Sequence, residues 1–229
     1  MPKALIFDVF GTLVDWRGSI ARGLAPWIPD QDDRLAFADA WRARYQPSME
    51  AVRSGQRPFV PLDTLHRENL DAVVEEQGAH IPPADRDRAN LLWHTLDGWG
   101  EVADGLARLG RTFVLAPHSN GNVRLMLDMA RHNGWRWDAI LGAESTGYYK
   151  PRPESYIRAA EILMLPPGEV MMVAAHNGDL AAARACGLAT AFIPRPAEHG
   201  PGQTSDLTAE EGWDVIADDL VDLAERLGA

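Results

Sequence analysis

Asp8 closes a short apolar run, Ala4 to Phe7, and is followed by Gly11 and Thr12. A carboxylate at the end of a buried strand is costly unless it is hydrogen-bonded, paired or used. It suits a turn cap that accepts the amides of the Gly11-Thr12 turn, and it equally suits a carboxylate nucleophile. Ser119 and Asn120 follow a second apolar run, Thr112 to Pro117, just before a helical pattern near Gly121. Small polar residues there cap helices, or hold an anionic group at a helix N-terminus. Lys150 precedes Pro151 and Pro153, with Tyr156 on the next helix. A loop lysine is commonly just solvated, but one on the edge where Asp8 ends is a candidate counter-ion. Asp179 follows the run Val170 to Ala175 at the start of a helix, where the dipole alone accounts for a carboxylate. Each residue has a bland explanation by itself. Polar residues at separate strand ends on one predicted edge point instead to a shared site.

Those strand ends follow from the pattern of the whole chain. Strands are expected at Ala4–Phe7, Thr112–Pro117, Trp137–Leu141, Val170–Ala175 and Ala189–Ile193. The run Val170 to Ala175 is continuous and uncharged, as in a strand covered on both faces. Helical patterns lie between them: Val102-Leu106-Leu109, Val123-Met126-Leu127-Ala130, Tyr156-Ala160-Leu163, and Leu180 to Ala185 closed by Gly187. Strand alternating with helix predicts an α/β fold, a Rossmann-like parallel sheet with helices on both faces. Residues 16–92 differ. They show no clear strand, helical segments at Leu35–Tyr45 and Leu62–Val74, and breakers at Pro47, Gly55, Pro58, Pro61 and Pro82-Pro83. The expectation is a helical cap, residues 16–92, inserted into a core of residues 1–15 and 93–229. In open α/β sheets ligands bind outside the carboxyl ends of the strands, where such a cap closes.

Composition narrows the partners. The chain has 229 residues, 46% of them hydrophobic, enough for one core or a core plus a small appended domain. A net charge of -11 disfavours nucleic acid and membrane surfaces as partners. A local positive site still admits a small anion. The single cysteine, Cys186, excludes an intrachain disulfide and reads as a buried structural thiol. The short N-terminal apolar run suits neither a signal peptide nor a membrane span. A soluble cytoplasmic protein is expected, and a homodimer is compatible with the sequence. The histidines show no paired spacing with Cys or carboxylates that would mark a zinc site.

The segment Phe7 to Leu13 resembles the first motif of the haloacid dehalogenase superfamily. Ser119-Asn120-Gly121, Lys150-Pro151 and the Asp179 segment resemble its second, third and fourth motifs, in the right order and across the whole chain. Phosphatases of that superfamily carry an acid two positions after the nucleophile, and here that position is Phe10. A phenyl ring cannot protonate a leaving alkoxide, whereas a halide leaves without a proton. The resemblance is therefore to the (S)-2-haloacid dehalogenase branch. It implies that Asp8 attacks the α-carbon of a 2-haloalkanoate. Water then hydrolyses the resulting ester to a 2-hydroxy acid of inverted configuration.

The resemblance further implies that Thr12, Ser119, Lys150, Tyr156 and Asp179 hold the nucleophile, the substrate carboxylate or the water. Arg42, beside Trp41, matches the halide-binding arginine, with Asn120 as a second halide contact and Arg17, Arg44 and Arg53 as alternatives. A guanidinium aimed at the halide stabilises charge where it develops. Trp16, Tyr45 and Phe59 are candidates for an apolar wall. The last motif, Val173-Ala174-Ala175-His176-Asn177-Gly178-Asp179, departs from the commoner pattern and looks like a subgroup with fluoroacetate-accepting members. There His176 is expected to offer an extra donor to the leaving halide, with Asn177 beside it. No cofactor and no metal are expected. The competing readings are a Mg²⁺-dependent small-molecule phosphatase, which Phe10 opposes, and a non-catalytic binding protein. A retained charged cluster of Asp8, Lys150 and Asp179 opposes the latter, because such a cluster is costly to bury without use.

Overall fold

The computed structural model describes residues 1–229. Its centre is a six-stranded sheet in the order β3-β2-β1-β4-β5-β6, with every pairing parallel. The strands are β1 (Ala4–Phe7), β2 (Val114–Ser119), β3 (Leu141–Gly142), β4 (Val170–Ala174), β5 (Ala189–Phe192) and β6 (Val215–Ile216). The alternation within β1 explains the layering. Leu5 and Phe7 join a core with Leu106, Leu125, Leu220 and Leu223, whereas Ala4 and Ile6 join one with Tyr156, Ala159, Leu180 and Ala183. Successive side chains of a strand point to opposite faces, so a strand buried on both must be apolar throughout.

Eleven α-helices complete the chain. Between β1 and β2 lie α1 (Trp16–Gly23), α2 (Gln31–Ala43), α3 (Tyr45–Arg53), α4 (Leu62–Gln77), α5 (Arg86–Asn90) and α6 (Val102–Leu109). After β2 come α7 (Val123–Asn133), α8 (Ala143–Thr146), α9 (Pro153–Ile162), α10 (Asn177–Ala185) and α11 (Leu220–Leu227). The chain runs outward from β1 to β2 and β3, then returns to the other side of β1 at β4. The loops after β1 and β4 therefore diverge, and a crevice opens at the carboxyl end of β1. Asp8 is the first residue beyond that end.

The expected elements are present with informative shifts. α2 begins four residues earlier than expected, at Gln31, because the Asp30 side chain accepts the amides of Asp32 and Asp33. Its expected C-terminal end splits, since α3 starts separately at Tyr45. Pro47 sits in the first turn of α3, where a missing N–H costs nothing. The expected strand Trp137–Leu141 shrinks to Leu141–Gly142. Before it, the Asp138 side chain takes the Leu115 amide and its own N–H bonds the Leu115 carbonyl, so a side chain replaces part of the ladder. Cys186 is half-buried rather than buried, and burial still pushes its thiol up. No helix is long and apolar enough to cross a membrane.

Candidate active site

Each oxygen of the Asp8 carboxylate is held. Oδ1 accepts from Lys150 Nζ at 2.9 Å; Oδ2 accepts from Thr12 Oγ1 at 2.7 Å and faces His176 Nδ1 at 3.0 Å. Thr12 Oγ1 in turn accepts the Ala175 amide at 2.9 Å, which pins the turn after β1 to the end of β4. Burial alone would raise the Asp8 pKa. The Lys150 ammonium and the His176 imidazole outweigh it and hold the carboxyl well below its ordinary value. Asp8 is ionised, buried and aimed into a cavity.

Lys150 also bonds Asp179 Oδ2, and the Tyr156 hydroxyl donates to Asp179 Oδ1. Burial works against the ammonium, but Asp179 and Asp8 together raise its pKa above the ordinary value. Tyr156 stays protonated, because burial and the neighbouring Asp179 charge both oppose a phenolate. The Lys150 amide donates to Asn120 Oδ1 at 2.7 Å, so the ends of β2 and of the Lys150 loop are tied. Lys150 thus fills the space between two carboxylates. A divalent cation placed between those same two oxygens would have to displace that ammonium.

On the other side of Asp8, His176 bridges two carboxylates. Its Nε2 lies 2.9 Å from Glu198 Oε2. Glu198 is only 2% exposed, and the Trp16 indole N–H donates to its Oε1 at 3.1 Å. Burial opposes an imidazolium, yet Asp8 and Glu198 raise the His176 pKa well above its ordinary value. Gly11 makes the arrangement possible. Its φ is +86°, and a Cβ there would lie 2.1 Å from Glu198 Oε1. Only glycine meets both demands.

The cavity above Asp8 measures about 760 Å³ and is bounded by Phe10, Trp16, Arg42, Tyr45, Asn120, Lys150, His176 and Glu198, among others. Arg42 reaches it from α2. Its guanidinium carbon lies 4.0 Å from the Tyr45 ring centroid, 5.4 Å from Trp16 and 5.5 Å from Phe10. Its Nη1 is buried without a hydrogen-bond partner. The other arginines are committed: Arg17 forks onto Asp39, Arg44 pairs with Glu76, and Arg53, though it lines the cavity, bonds Glu50, Gln46 and the Lys150 carbonyl. Phe10 packs edge-on against Tyr45, His66 and Trp93. The carboxylates of Asp8, Asp179 and Glu198 are thereby matched by the cations of Lys150, Arg42 and His176.

Several expected site residues stand elsewhere. The Asn177 side chain spends its amide on Asp206 and the Thr208 carbonyl and its carbonyl on Glu210 and Trp213, so it fixes a loop and does not reach the cavity. Both His176 nitrogens are engaged, which corrects the expectation of a free donor for the halide. Ser119 is fully buried and accepts the Gly121 amide, shaping the turn after β2. Thr12 and Tyr156 act through Asp8 and Asp179 respectively. Phe59 packs at a tilt against Tyr149, away from this cavity. Glu198 escaped the sequence reading, as did Arg195, which bonds the Thr12 carbonyl and Glu101. The only signal was coarse: both follow the apolar run Ala189 to Ile193, one more strand ending on the same edge, and nothing singles out Glu198 within the loop.

The site is an aspartate at the switch point of a parallel sheet, and similarity places it in a class of hydrolase. A family model described as haloacid dehalogenase-like hydrolase matches residues 2–187. The chain belongs to this family. A solved defluorinating L-2-haloacid dehalogenase is 50% identical, with a TM-score of 0.96 over 100% of this chain and 96% of that one. A second solved L-2-haloacid dehalogenase is 47% identical, with a TM-score of 0.95 over 100% and 99% of the two chains. The (S)-2-haloacid dehalogenase 4A of Burkholderia cepacia is 25% identical over 234 residues, 97% of this chain and 98% of that protein.

Proposed function

We propose that the protein is a hydrolytic dehalogenase that converts (S)-2-haloalkanoic acids, fluoroacetate among the haloacetates, to 2-hydroxy acids through an ester on Asp8. The relatives named (S)- or L-2-haloacid dehalogenases support the reaction class. The observation that carries the site assignment is an ionised Asp8 and the Arg42 guanidinium lining one cavity, with Phe10 where a proton donor would stand.

The chemistry follows from charge. Asp8 needs no base, because its neighbours already keep it ionised. Attack on the α-carbon from the side opposite the halide inverts the centre and moves negative charge onto the leaving group. Arg42, which lines the cavity, sets its guanidinium charge where that charge arrives. The aromatic walls of Phe10, Trp16 and Tyr45 lower the local dielectric and strengthen that contact. Asn120 lines the same cavity as a second polar contact. The helices of residues 16–92 serve as the cap that delivers Arg42, Trp16 and Tyr45 to a core of residues 1–15 and 93–229. Water attacking the ester at Asp8 Cγ then releases the hydroxy acid.

Single-turnover reaction of chloroacetate and fluoroacetate in ¹⁸O water, followed by mass analysis of the peptide containing Asp8, tests the route. Label in that peptide is the expected result. Label found only in the product after one turnover would mean direct attack by water and overturn it. Halide release is expected to survive EDTA dialysis, and a generic aryl phosphate is expected to yield no phosphate.

A further inference from the structure

We propose that His176 is the base for hydrolysis of the Asp8 ester, and that Glu198 is the positioning residue that makes it one. The proposal rests on the ester route above. Its basis is the row Asp8 Oδ2, His176 Nδ1, His176 Nε2, Glu198 Oε2, with gaps of 3.0 and 2.9 Å at the two ends of the ring.

Glu198 is built into this place. It is almost fully buried, takes the Trp16 indole N–H, and occupies space that any side chain at Gly11 would fill. A carboxylate so enclosed is retained at a desolvation cost that the imidazole opposite it offsets. The ring itself faces Asp8 and Glu198 directly. Lys150 stands across Asp8, and Arg42 and His199 act on Glu198.

The charge of Asp8 decides what His176 can do. In the free enzyme both carboxylates are ionised and the ring holds two protons, so it is no base. Ester formation removes the Asp8 charge, so the ring loses one of its two carboxylates while Lys150 keeps only Asp179. Glu198 keeps its hold on the Nε2 proton, so the proton released to solvent is the one on Nδ1. That nitrogen, 3.0 Å from Asp8 Oδ2, then carries a free lone pair beside the ester. Asp179 is less suited to the role, because its two oxygens already accept from Tyr156 and Lys150.

The protons balance over the cycle. Displacement forms the Asp8–carbon bond and expels halide, and His176 then loses one proton to solvent. Water adds to Cγ as its first proton passes to Nδ1. The tetrahedral intermediate breaks its bond to the product oxygen. The second water proton goes to that alkoxide. Asp8 returns as a carboxylate and His176 as an imidazolium. The sum is haloacid plus water giving hydroxy acid, halide and one proton.

Rapid-quench kinetics with chloroacetate on wild type, Glu198→Gln and His176→Asn, with intact-protein mass at each time, test this. Both variants are expected to release one halide per active site in a burst and then turn over about 100-fold more slowly or worse, as for loss of a general base. The ester mass should accumulate in both. Ester hydrolysis in wild type should rise with pH through one ionisation, which disappears in His176→Asn and moves to lower pH in Glu198→Gln. A purely structural role for Glu198 would not move that ionisation. Variants that turn over at wild-type rate without accumulating ester overturn the proposal alone. A wild-type enzyme that releases halide without ever carrying the ester mass overturns the ester route as well. If Glu198→Gln fails to fold, as judged by its thermal melt, the His176→Asn burst and pH profile decide.

Discussion

At the scale of single residues, the site is legible where chemistry and strand ends coincide. Asp8, Lys150 and Asp179 stood out because charged groups after apolar runs need a partner or a use, and in the fold they are one cluster. Glu198 was hidden for a physical reason. It lies in an irregular loop bounded by Pro196 and Gly200, and such segments commonly carry solvated charge. Nothing local marks it as buried. Arg42 was found only by its Trp41 neighbour, yet Trp41 is core and donates to the His66 carbonyl. What distinguishes Arg42 is that its competitors have partners and its Nη1 has none. Arg42→Gln is therefore expected to lower kcat for chloroacetate about 100- to 1000-fold, the cost of losing one charge-stabilising donor. Its melting temperature should fall only modestly, because the guanidinium rests on Phe10, Trp16 and Tyr45 but forms no salt bridge that the change would break. Lys150→Met should differ in kind. It leaves Asp8 and Asp179 buried without their cation, so activity should vanish and unfolding should become about 3–5 kcal/mol easier in urea titration.

At the scale of elements, the turn after β1 shows how backbone choice and chemistry meet. Gly11 holds a left-handed φ and gives its side-chain space to Glu198. Gly11→Ala should cost about 1–2 kcal/mol for the backbone alone, and it should also slow ester hydrolysis by displacing Glu198. Thermal melts and the rapid-quench assay would show the two effects separately. The junction between α4 and α7 is a second case. His94 lies between Asp63 at the start of α4 and Asp128 in α7, 3.1 and 2.9 Å away. The sequence could not show this, because three separate segments converge only in the folded chain. Burial opposes the His94 charge, but the two carboxylates raise its pKa above 6.5. A raised basic group contributes its full stability below its unfolded value of 6.5 and loses it as pH climbs through the folded value. His94→Gln should accordingly melt lower than wild type at pH 6 by roughly 1–3 kcal/mol of stability. The difference should shrink in alkaline buffer.

For the whole molecule, the parallel α/β class and the all-helical run from residue 16 to 92 were readable because hydrophobic periodicity survives without tertiary detail. The edge strand β6 was not, and β3 was read four residues too long toward its start and one short at its end, since two residues of ladder leave little pattern. Histidine placement gives the molecule a further property that composition hides. His66 and His118 are fully enclosed, burial being the main cause that lowers each to about 3. Such groups stay neutral in the fold and bind protons once unfolded, so they cost stability as pH falls from 6.5 toward 3. Asp8, Asp63 and Glu198, each held below its ordinary value, add a steeper loss in stronger acid. His94 and His176 act oppositely, losing their contribution as pH rises above 6.5. The two histidine classes share one unfolded reference, so the melting temperature should peak near pH 6.5. His66 offers a clean test. It stacks on Trp93 at 4.3 Å with neither ring nitrogen bonded, so phenylalanine replaces it without losing a hydrogen bond. His66→Phe should raise the melting temperature most at pH 4 to 5, where wild type bears the cost of keeping the ring neutral. The gain should fall to its smallest above pH 6.5, where the unfolded chain leaves that histidine unprotonated too. A gain that is the same at every pH would show that His66 is an ordinary core residue with an ordinary pKa.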